Sequence, residues 1–378
     1  MKLFLTERSG ELYRLVLRLA GIFSARGGRA LLAGGSVRDA LLGRPVKDFD
    51  IEVHGLDAGT LLASLDGVCE VDAVGMSFGV IKVKHREIDI TLPRRENKTG
   101  AGHRGFLVET DPSLSFAEAA ARRDFTVNAI MYDPLTDELI DPWNGAGDLK
   151  NGILRHVSEH FSEDPLRVLR GMQFAARLGF RAAPETLAIC AELDQNELAV
   201  ERIGTEWEKL LLQGKNLSAG LEFLKQCRWI RFYPELEQVS SGGNWEKLKG
   251  FADRCAALRP AEKDRGLIFM AAALTALCGP DPESAAKGCS SFCRRLWNRE
   301  ELTARTALLV RTFREYEEAS PETFTDPLCR RLALRLRGLD LLARLFEGAE
   351  KRNAADHLRA AGRRLGVQIG RASCRERV

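Results

Sequence analysis

The fold of this chain is decided by a stretch that reads AGGSVRD at residues 33–39 and continues to KDFD at residues 47–50. The residues just before the glycines read as a short buried strand, and residues 49–53 alternate as a second strand does. Side chains two apart on a strand point to the same face, so the pattern places Asp48 and Asp50 together. Carboxylates this close repel each other, and such pairs persist where a divalent cation neutralises them.

Gly34 and Gly35 stand directly before a helical turn predicted over residues 37–42. At a helix N-terminus, backbone N–H groups can approach phosphate oxygens where glycines leave room. A Gly-Gly pair alone is usually a turn, and an Asp-x-Asp pair alone on an exposed strand is usually solvated. Their combination within residues 34–50 predicts a site for a nucleoside triphosphate and its metal.

Length and composition exclude several classes of protein. The 378 residues, of which 45% are hydrophobic, are ample for a core and too many for one ordinary domain. No apolar run reaches the length of a transmembrane helix, and charge appears too early in the first residues for a secretory leader. The net charge of +3 neither demands nor excludes nucleic acid.

The cysteine pattern indicates the redox compartment. Nine cysteines occur without a CxxC pair, and we expect reduced thiols in a cytoplasmic protein. Cys289 and Cys293 lie one helical turn apart but lack a neighbouring histidine. They form a poor zinc half-site, and we expect no structural zinc there.

The first third of the chain mixes helix and strand patterns. Residues 9–25 have helical spacing of apolar side chains, and residues 78–84 and 87–92 read as antiparallel strands joined by a tight turn. Residues 94–116 break this pattern with a polar, glycine-rich segment. We expect this segment to be a long loop with a function of its own.

The rest of the chain has a different pattern. From Ser158 onward the strand pattern disappears and helical spacing dominates, with helical segments predicted over residues 187–198 and 203–212. The sequence therefore predicts an α+β protein, in which a small mixed β-sheet head is followed by an all-helical remainder.

Five stretches of the chain stand out in order: residues 34–50, RRDFTVNA at 122–129, DPWNGAGDL at 141–149, EDPLR at 163–167 and ERIGTEW at 201–207. They closely resemble the motifs of the class II tRNA nucleotidyltransferases. This family includes the CCA-adding enzymes and relatives of bacterial poly(A) polymerase, within the polymerase beta-like superfamily. The resemblance extends over about residues 28–215, and beyond it only YPEL at residues 233–236 stands out.

The resemblance implies a division of the chain into parts. A small mixed β-sheet nucleotidyltransferase head, which is catalytic, would occupy residues 1–140. A helical neck that recognises the nucleotide base would occupy residues 141–215. A helical body and tail that bind tRNA would occupy residues 216–378.

The resemblance also implies nucleotidyl transfer, in which a tRNA 3′-hydroxyl attacks the α-phosphate of CTP or ATP and pyrophosphate leaves. Asp48 and Asp50 would be the catalytic carboxylates and would hold two Mg²⁺ ions. Asp89, on a neighbouring strand, is a candidate third metal ligand, and the alternative is a solvated strand residue. Asp39 is expected to cap a helix or to pair with an arginine rather than to bind metal.

Contacts to the phosphates and the ribose are implied for the first two motifs. Asp124 and Asn128 would hold the ribose, which would explain rejection of deoxynucleotides. As a plain helix start, Asp124 reads instead as an N-cap. The other residues expected to bind the nucleotide through its phosphates are Gly34, Gly35, Ser36, Arg38, Arg122 and Arg123.

Base selection is implied for the EDPLR stretch. Asp164 and Arg167 are spaced to share one face of a predicted helix, and the alternative is an intrahelical ion pair. A carboxylate only accepts hydrogen bonds and a guanidinium only donates them, which suits the edges of cytosine and adenine and opposes those of uracil and guanine. Glu163 and Arg202 would support this pair.

The implied partners are tRNA, CTP and ATP, with no membrane and no stable protein partner. The helical remainder would contact RNA phosphates without reading sequence. Within the family, the alternatives are an enzyme that adds only the terminal A, one that adds only CC, or a poly(A) polymerase. A small-molecule nucleotidyltransferase would lack the motifs at residues 122–129 and 163–167, and the intact Asp48 and Asp50 disfavour a non-catalytic RNA-binding protein.

Overall fold

The chain forms two compact units. The first comprises the residues up to Arg167 together with Arg181–Ile189, and the second comprises Val168–Phe180 and the residues from Cys190 onward. The head, neck and body predicted with boundaries at residues 140 and 215 stay a prediction. The computed structural model describes residues 7–75, 79–98, 106–196 and 198–366.

All strands of the described residues lie in the first unit. In chain order they are β1 (Arg29–Ala33), β2 (Phe49–His54), β3 (Val71–Asp72), β4 (Val80–Val83), β5 (Ile88–Thr91), β6 (Arg94–Lys98), β7 (Phe106–Thr110), β8 (Met131–Asp133), β9 (Glu138–Ile140), β10 (Ile153–Leu154) and β11 (Arg181–Ala182). Seven of them form one mixed sheet in the order β3-β4-β5-β2-β1-β8-β9. Two separate pairs are formed by β6 with β7 and by β10 with β11.

The centre of the sheet is β2, which pairs antiparallel with β1 and parallel with β5. In register, Ala33 lies beside Asp50 on one side and Asp89 lies beside it on the other. The short strand predicted just before the glycines is confirmed at Arg29–Ala33, and the strand predicted over residues 49–53 is confirmed as β2. The predicted antiparallel pair is also confirmed, as β4 and β5.

One face of the sheet is covered by α1 (Glu7–Ser24), which confirms the first predicted helix. The ring of Tyr13 on this helix lies 5.8 Å from the ring of Phe49. Consecutive residues of a strand point to opposite faces, so Asp50 lies on the face of the sheet away from α1.

The second unit contains only helical elements among its described residues, which confirms the α+β class with a helical remainder. Two 3-10 turns, Thr126–Asn128 and Glu159–Glu163, belong to the first unit. None of the helices in the described ranges combines the length and the apolar character of a membrane span. After α1 the helices are α2 (Gly35–Leu41), α3 (Ala58–Leu65), α4 (Phe116–Ala121), α5 (Gly145–Asn151), α6 (Leu166–Leu178), α7 (Pro184–Ala191), α8 (Val200–Gln213), α9 (Leu217–Gln226), α10 (Pro234–Ser241), α11 (Trp245–Ala257), α12 (Lys263–Thr275), α13 (Pro282–Leu296), α14 (Glu300–Glu315), α15 (Asp326–Leu336), α16 (Asp340–Gly348) and α17 (Arg352–Arg364).

The core of the second unit is built around buried aromatic side chains. The ring of Trp207 lies 4.8 Å from that of Tyr233 and 5.2 Å from that of Phe292, both edge-on, which is a favourable arrangement for aromatic pairs. Tyr233 is the first residue of the YPEL stretch and is fully buried. This stretch is therefore a core element of the second unit.

The prediction that residues 94–116 form a loop is wrong for most of this segment. β6 and β7 pair antiparallel there, and α4 begins at Phe116. The sequence shows no apolar alternation in Arg94–Lys98, and a hairpin outside the main sheet needs none, because backbone hydrogen bonds form its ladder. Residues 99–105 of the predicted loop lie outside the described residues.

Two further predictions after Ser158 need correction. The region expected to lack strands contains β11, which pairs parallel with β10 and is too short to show a period. The helix predicted over residues 187–198 ends at Ala191. Beyond that helix the chain turns, and Arg231 Nη2 donates a hydrogen bond to the Leu193 carbonyl at 2.9 Å.

Candidate active site

The turn at Gly34 is a meeting point of three elements of the first unit. Gly34 has a φ of +71°, which glycine adopts without strain, and lies between β1 and α2. A Cβ atom at Gly34 would lie 3.3 Å from Arg123 Nη1 and 3.3 Å from Asp50 Oδ2. The buried Ser36 donates a hydrogen bond from Oγ to the Ala33 carbonyl at 3.1 Å and so fixes the turn. Glycine leaves the space on which a guanidinium and a carboxylate converge.

Asp48, Asp50 and Asp89 form a group that we call the carboxylate edge. Asp48 and Asp50 are exposed, and Asp89 is the neighbour of Asp50 on β5. Although the Asp50 side chain reaches solvent, the protein around it removes part of its hydration. This desolvation and then the negative charge of Asp48 raise the pKa of Asp50, while Arg123 opposes the rise and Asp89 adds to it. A divalent cation would relieve this repulsion, and carboxylate oxygens are ligands that suit Mg²⁺. The paired carboxylates therefore have the donor chemistry that a divalent cation needs.

Asp89 has a partner of its own at this edge. Lys82 Nζ lies 2.8 Å from Asp89 Oδ2 and 3.1 Å from Asp89 Oδ1. Among the described residues, no group of three or more His, Cys, Asp or Glu side chains is arranged to hold a metal ion. A metal site here would depend first on Asp48 and Asp50, and the ligand role of Asp89 stays a prediction.

A buried carboxylate that the sequence analysis missed lies on the same face of β2. Glu52 Oε2 is 2.9 Å from Arg123 Nη2, and Glu52 Oε1 is 3.0 Å from His54 Nε2. Burial works against the charged form, but Arg123 and His54 outweigh it and lower the pKa of Glu52 to about 2. The signal was available in the sequence, because Glu52 follows Asp50 by two residues and so shares its face.

Arg38, Asn128 and Asp124 form a buried hydrogen-bond network behind the turn. Arg38 Nη1 donates to Asn128 Oδ1 at 2.7 Å, and Asn128 Nδ2 donates to Asp124 Oδ1 at 2.9 Å. Arg38 also pairs with Asp39 at 2.8 Å, which confirms the arginine partner predicted for Asp39. The nucleotide contacts predicted for the three network residues, and those for Gly34, Gly35 and Ser36, stay predictions.

The DPWNGAGDL stretch, which follows Asn128 in the chain, supports this network. The Asp141 carboxylate accepts hydrogen bonds from the backbone N–H groups of Gly145, at 2.7 Å, and of the next residue, at 2.9 Å. A Cβ atom at Gly145 would lie 2.1 Å from the Thr126 carbonyl oxygen, and Asp148 Oδ2 accepts a hydrogen bond from Thr126 Oγ1 at 2.7 Å. The stretch therefore fixes the turn Thr126–Asn128 that carries the network amide.

A cleft of about 360 Å³ opens in the first unit, and we call it the arginine cleft. It brings together the RRDFTVNA and EDPLR stretches, which are distant in sequence. Arg123 connects it to the carboxylate edge, because its Nη1 approaches the turn at Gly34. The charged lining includes Glu52, Arg94, Arg122, Arg123, Glu163, Asp164 and Arg167.

Two arginines of the cleft are held by named partners. Arg122 Nη2 lies 3.0 Å from Glu163 Oε2, and Glu163 Oε1 lies 2.7 Å from His160 Nδ1. Arg167 donates from Nη1 to the His160 carbonyl and from Nη2 to the Arg122 carbonyl, both at 2.7 Å. These contacts fix the guanidinium groups before any ligand binds, as precise recognition requires. Glu163 thus contacts Arg122, and its predicted support of the Asp164–Arg167 pair stays a prediction.

The prediction that one helix carries both Asp164 and Arg167 is wrong for Asp164, which lies before the helix. α6 begins at Leu166, and Asp164 Oδ1 accepts a hydrogen bond from the Leu166 backbone N–H at 3.2 Å. The cause is Pro165, because a residue before proline is pushed into an extended conformation and proline favours the first helical turn. Arg202 lies on α8 in the second unit, and its supporting role stays a prediction.

Comparison with known proteins relates this site to a family. A family model described as the Poly A polymerase head domain matches residues 30–155. The chain is 45% identical over 190 residues to the Multifunctional CCA protein of Xylella fastidiosa (strain 9a5c), an alignment that covers 48% of this chain and 44% of that protein. The chain therefore spans less than half of the length of this curated relative.

Solved structures of similar fold match nearly the whole chain. The Bacillus stearothermophilus CCA-adding enzyme in complex with CTP has a TM-score of 0.63 at 24% identity, over 93% of this chain and 82% of that one. The Thermotoga maritima CCA-adding enzyme complexed with tRNA has a TM-score of 0.61 at 20% identity, over 95% of this chain and 84% of that one. At these identities the likeness shows the fold.

The mixed sheet, the glycine turn and the paired aspartates of the first unit define a head of the poly(A) polymerase type. The match to the family model covers residues 30–155, about a third of the chain. The curated relative and the solved structures to which the chain is similar are a CCA protein and CCA-adding enzymes.

Proposed function

We propose that the chain adds C and A nucleotides from CTP and ATP to the 3′ end of tRNA without a nucleic-acid template. The observation that carries this proposal is the arginine cleft, which gathers Arg122, Arg123, Asp164 and Arg167 beside the carboxylate edge. Cationic groups for phosphates and an acceptor–donor pair for a base suit a nucleotide that is held at both ends. The similar proteins described above are CCA proteins, one solved with CTP and one with tRNA.

The chemistry at the carboxylate edge would depend on Asp48 and Asp50, which would hold Mg²⁺, with two ions expected. When bound, such ions supply Lewis-acid activation of the attacking 3′-hydroxyl and neutralise charge on the leaving pyrophosphate. Arg123, at the junction of the edge and the cleft, would donate hydrogen bonds to the triphosphate. Gly34 would keep the approach to the phosphates clear of a side chain.

Selection of the base would fall to Asp164 and Arg167. The two carbonyl contacts of Arg167 hold its guanidinium in the arginine cleft, which Asp164 also lines. A carboxylate only accepts hydrogen bonds and a guanidinium only donates them. Cytosine and adenine each present an amino donor beside a ring-nitrogen acceptor, which matches this pair. Uracil and guanine present the reverse order and would leave both contacts unmade.

Binding of the tRNA body would use cationic side chains of the second unit. Contacts to phosphates give affinity without sequence readout, and structured RNA is recognised mainly by its shape. A tRNA substrate would also place the protein in the cytoplasm. The exposed arginines of α15 and α17 include Arg330, Arg331, Arg335, Arg352 and Arg363.

The test is to incubate the purified chain with tRNA truncated at each of its last three positions and with labelled CTP or ATP. We expect C, then C, then A, each added only where it is missing. Addition of only A, of only two C residues or of a long A tail would select the alternative reactions within the family. No incorporation into any of the three RNAs would contradict the proposal.

A further inference from the structure

Arg123 lies between two carboxylates of the same strand. Its Nη2 is 2.9 Å from Glu52 Oε2, which makes Glu52 its ion-pair partner. Its Nη1 and Asp50 Oδ2 both lie 3.3 Å from the position of a Cβ atom at Gly34. Arg123 therefore binds one carboxylate while a second, at the carboxylate edge, lies within reach of a side-chain rearrangement.

Glu52 is anchored on the side away from Arg123. Its Oε1 lies 3.0 Å from His54 Nε2, and because a carboxylate only accepts, this ring nitrogen carries the proton. The His54 ring packs edge-on against Phe116 with centroids 4.8 Å apart. Glu52 and His54 are both buried. This chain of contacts fixes the Glu52 carboxylate and, through it, the Arg123 guanidinium.

Loss of the Glu52 charge would leave Arg123 without this partner in a mostly buried place. The Arg123 side chain is only 22% exposed, and a buried charge without a counter-charge is strongly unfavourable. A guanidinium forms short, strong hydrogen bonds with a carboxylate. Asp50 is the carboxylate on the adjacent position of the same face, so the freed guanidinium would move to it.

We propose that Glu52 is a positioning residue that holds Arg123 away from Asp50 and so keeps the Asp48–Asp50 pair available for a cation. An Arg123–Asp50 pair would occupy carboxylate oxygens needed as metal ligands and would cancel part of the negative charge that attracts the ion. This inference rests on the proposed use of a divalent cation at these two aspartates.

The experiment measures binding of Mn²⁺, as a paramagnetic substitute for Mg²⁺, to the full chain by electron paramagnetic resonance without nucleotide or tRNA. We expect Glu52→Gln, which keeps the size and removes the charge, to weaken Mn²⁺ binding about tenfold, the usual scale for residues that support metal ligands. Arg123→Ala should bind Mn²⁺ at least as tightly as wild type. The double variant should match Arg123→Ala, because no guanidinium remains to compete.

The double variant separates positioning from a merely structural role. Damage to the fold caused by Glu52→Gln would not be repaired by removing Arg123 as well. A matched control is Glu163→Gln, which breaks a similar arginine pair at Arg122 and should leave Mn²⁺ binding unchanged. Wild-type affinity in Glu52→Gln, or a double variant as weak as Glu52→Gln, would overturn the proposal.

The remaining outcomes are also decisive. If Glu52→Gln does not fold, Arg123→Ala alone tests the proposal, and weaker Mn²⁺ binding in that variant would overturn it. A wild-type chain that binds no Mn²⁺ would overturn it as well. A wild-type chain that shows the expected Mn²⁺ pattern but adds nothing to tRNA would instead contradict the proposed reaction and leave the role of Glu52 standing.

Discussion

Asp50 and Glu52 lie two residues apart on one face of β2, yet their surroundings are opposite. At the carboxylate edge, the loss of hydration caused by the surrounding protein and the charges of Asp48 and Asp89 raise the pKa of Asp50. In the arginine cleft, Arg123 and His54 overcome burial and lower the pKa of Glu52 to about 2. The edge carries negative charge that an added cation would neutralise, whereas the cleft is neutralised by the protein itself and is organised in advance.

The largest effect should come from removing a carboxylate of the edge. Asp48→Ala should slow nucleotide incorporation about a thousandfold or more, since a metal ion stabilises a transition state by several kcal/mol and each 1.36 kcal/mol is a factor of ten. Affinity for tRNA should stay near that of wild type, because these carboxylates would hold ions and not RNA. Single-turnover incorporation and filter binding measure the two quantities.

Chelation provides the control for this first prediction. EDTA should stop the wild-type reaction, and added Mg²⁺ should restore it in the wild type but not in Asp48→Ala. Near-normal turnover of Asp48→Ala would contradict the assignment of the edge to chemistry.

The next effect should come from the cleft and should change selectivity rather than chemistry. Asp164→Ala should lose roughly tenfold or more of the discrimination against UTP and GTP, because it removes one of the two contacts and each unpaired buried polar group costs about 1–3 kcal/mol. Incorporation of all four ribonucleotides, measured separately, gives the ratio. If Asp164→Ala and an Arg167→Ala variant both keep the wild-type preference for CTP and ATP, the pair does not select the base.

A smaller effect is expected where the DPWNGAGDL stretch supports the site. Gly145→Ala places a Cβ atom 2.1 Å from the Thr126 carbonyl oxygen and should destabilise the fold by about 1–3 kcal/mol through overpacking. Gly21→Ala on α1 is the matched control, because its Cβ meets nothing within 4 Å and alanine is the better helix former there. Thermal unfolding measures the melting temperature of both variants. If Gly145→Ala melts at the same temperature as Gly21→Ala, the close approach at Gly145 does not contribute to stability.

The smallest effect should be seen in tRNA affinity. Arg331→Ala on α15 should weaken tRNA binding a few-fold and reduce the slope of log affinity against log salt by about 0.7–0.9, the value for one phosphate contact. Titrations at several salt concentrations measure this slope. If tRNA binding by the wild-type chain does not depend on salt, the second unit does not bind tRNA through phosphate contacts.

The carboxylate edge could be predicted from the sequence more completely than the arginine cleft. Asp48 and Asp50 stand on one strand whose period of two is visible in the residues themselves. The cleft instead depends on ion pairs between distant residues, Arg122 with Glu163 and Arg123 with Glu52, which are 41 and 71 positions apart. The period of two places Glu52 on the face of Asp50, but no local pattern shows that Glu52 pairs with Arg123, so the sequence analysis named the arginines and missed their carboxylate partner.

In the fold as well, elements with a local sequence pattern were predicted and elements without one were missed. Helix α1, with regular apolar spacing, was predicted over residues 9–25 and is found at Glu7–Ser24. The β6–β7 hairpin and the two-residue β11 were missed, because neither shows the apolar alternation by which a strand is recognised. Asp164 was placed on a helix because the spacing to Arg167 suited one, whereas Pro165 sets the helix start after it.

The central claim is that the carboxylate edge serves the chemistry and the arginine cleft binds the nucleotide. One comparison on Asp50→Asn tests this claim most directly. This variant keeps the shape of the side chain and removes its charge, and its CTP dissociation constant and its rate of incorporation into tRNA lacking CCA would be measured on the same preparation. We expect CTP binding without metal to stay within about twofold of wild type, while incorporation falls about a thousandfold. Loss of CTP binding in parallel with the rate, or incorporation near the wild-type rate, would contradict the account.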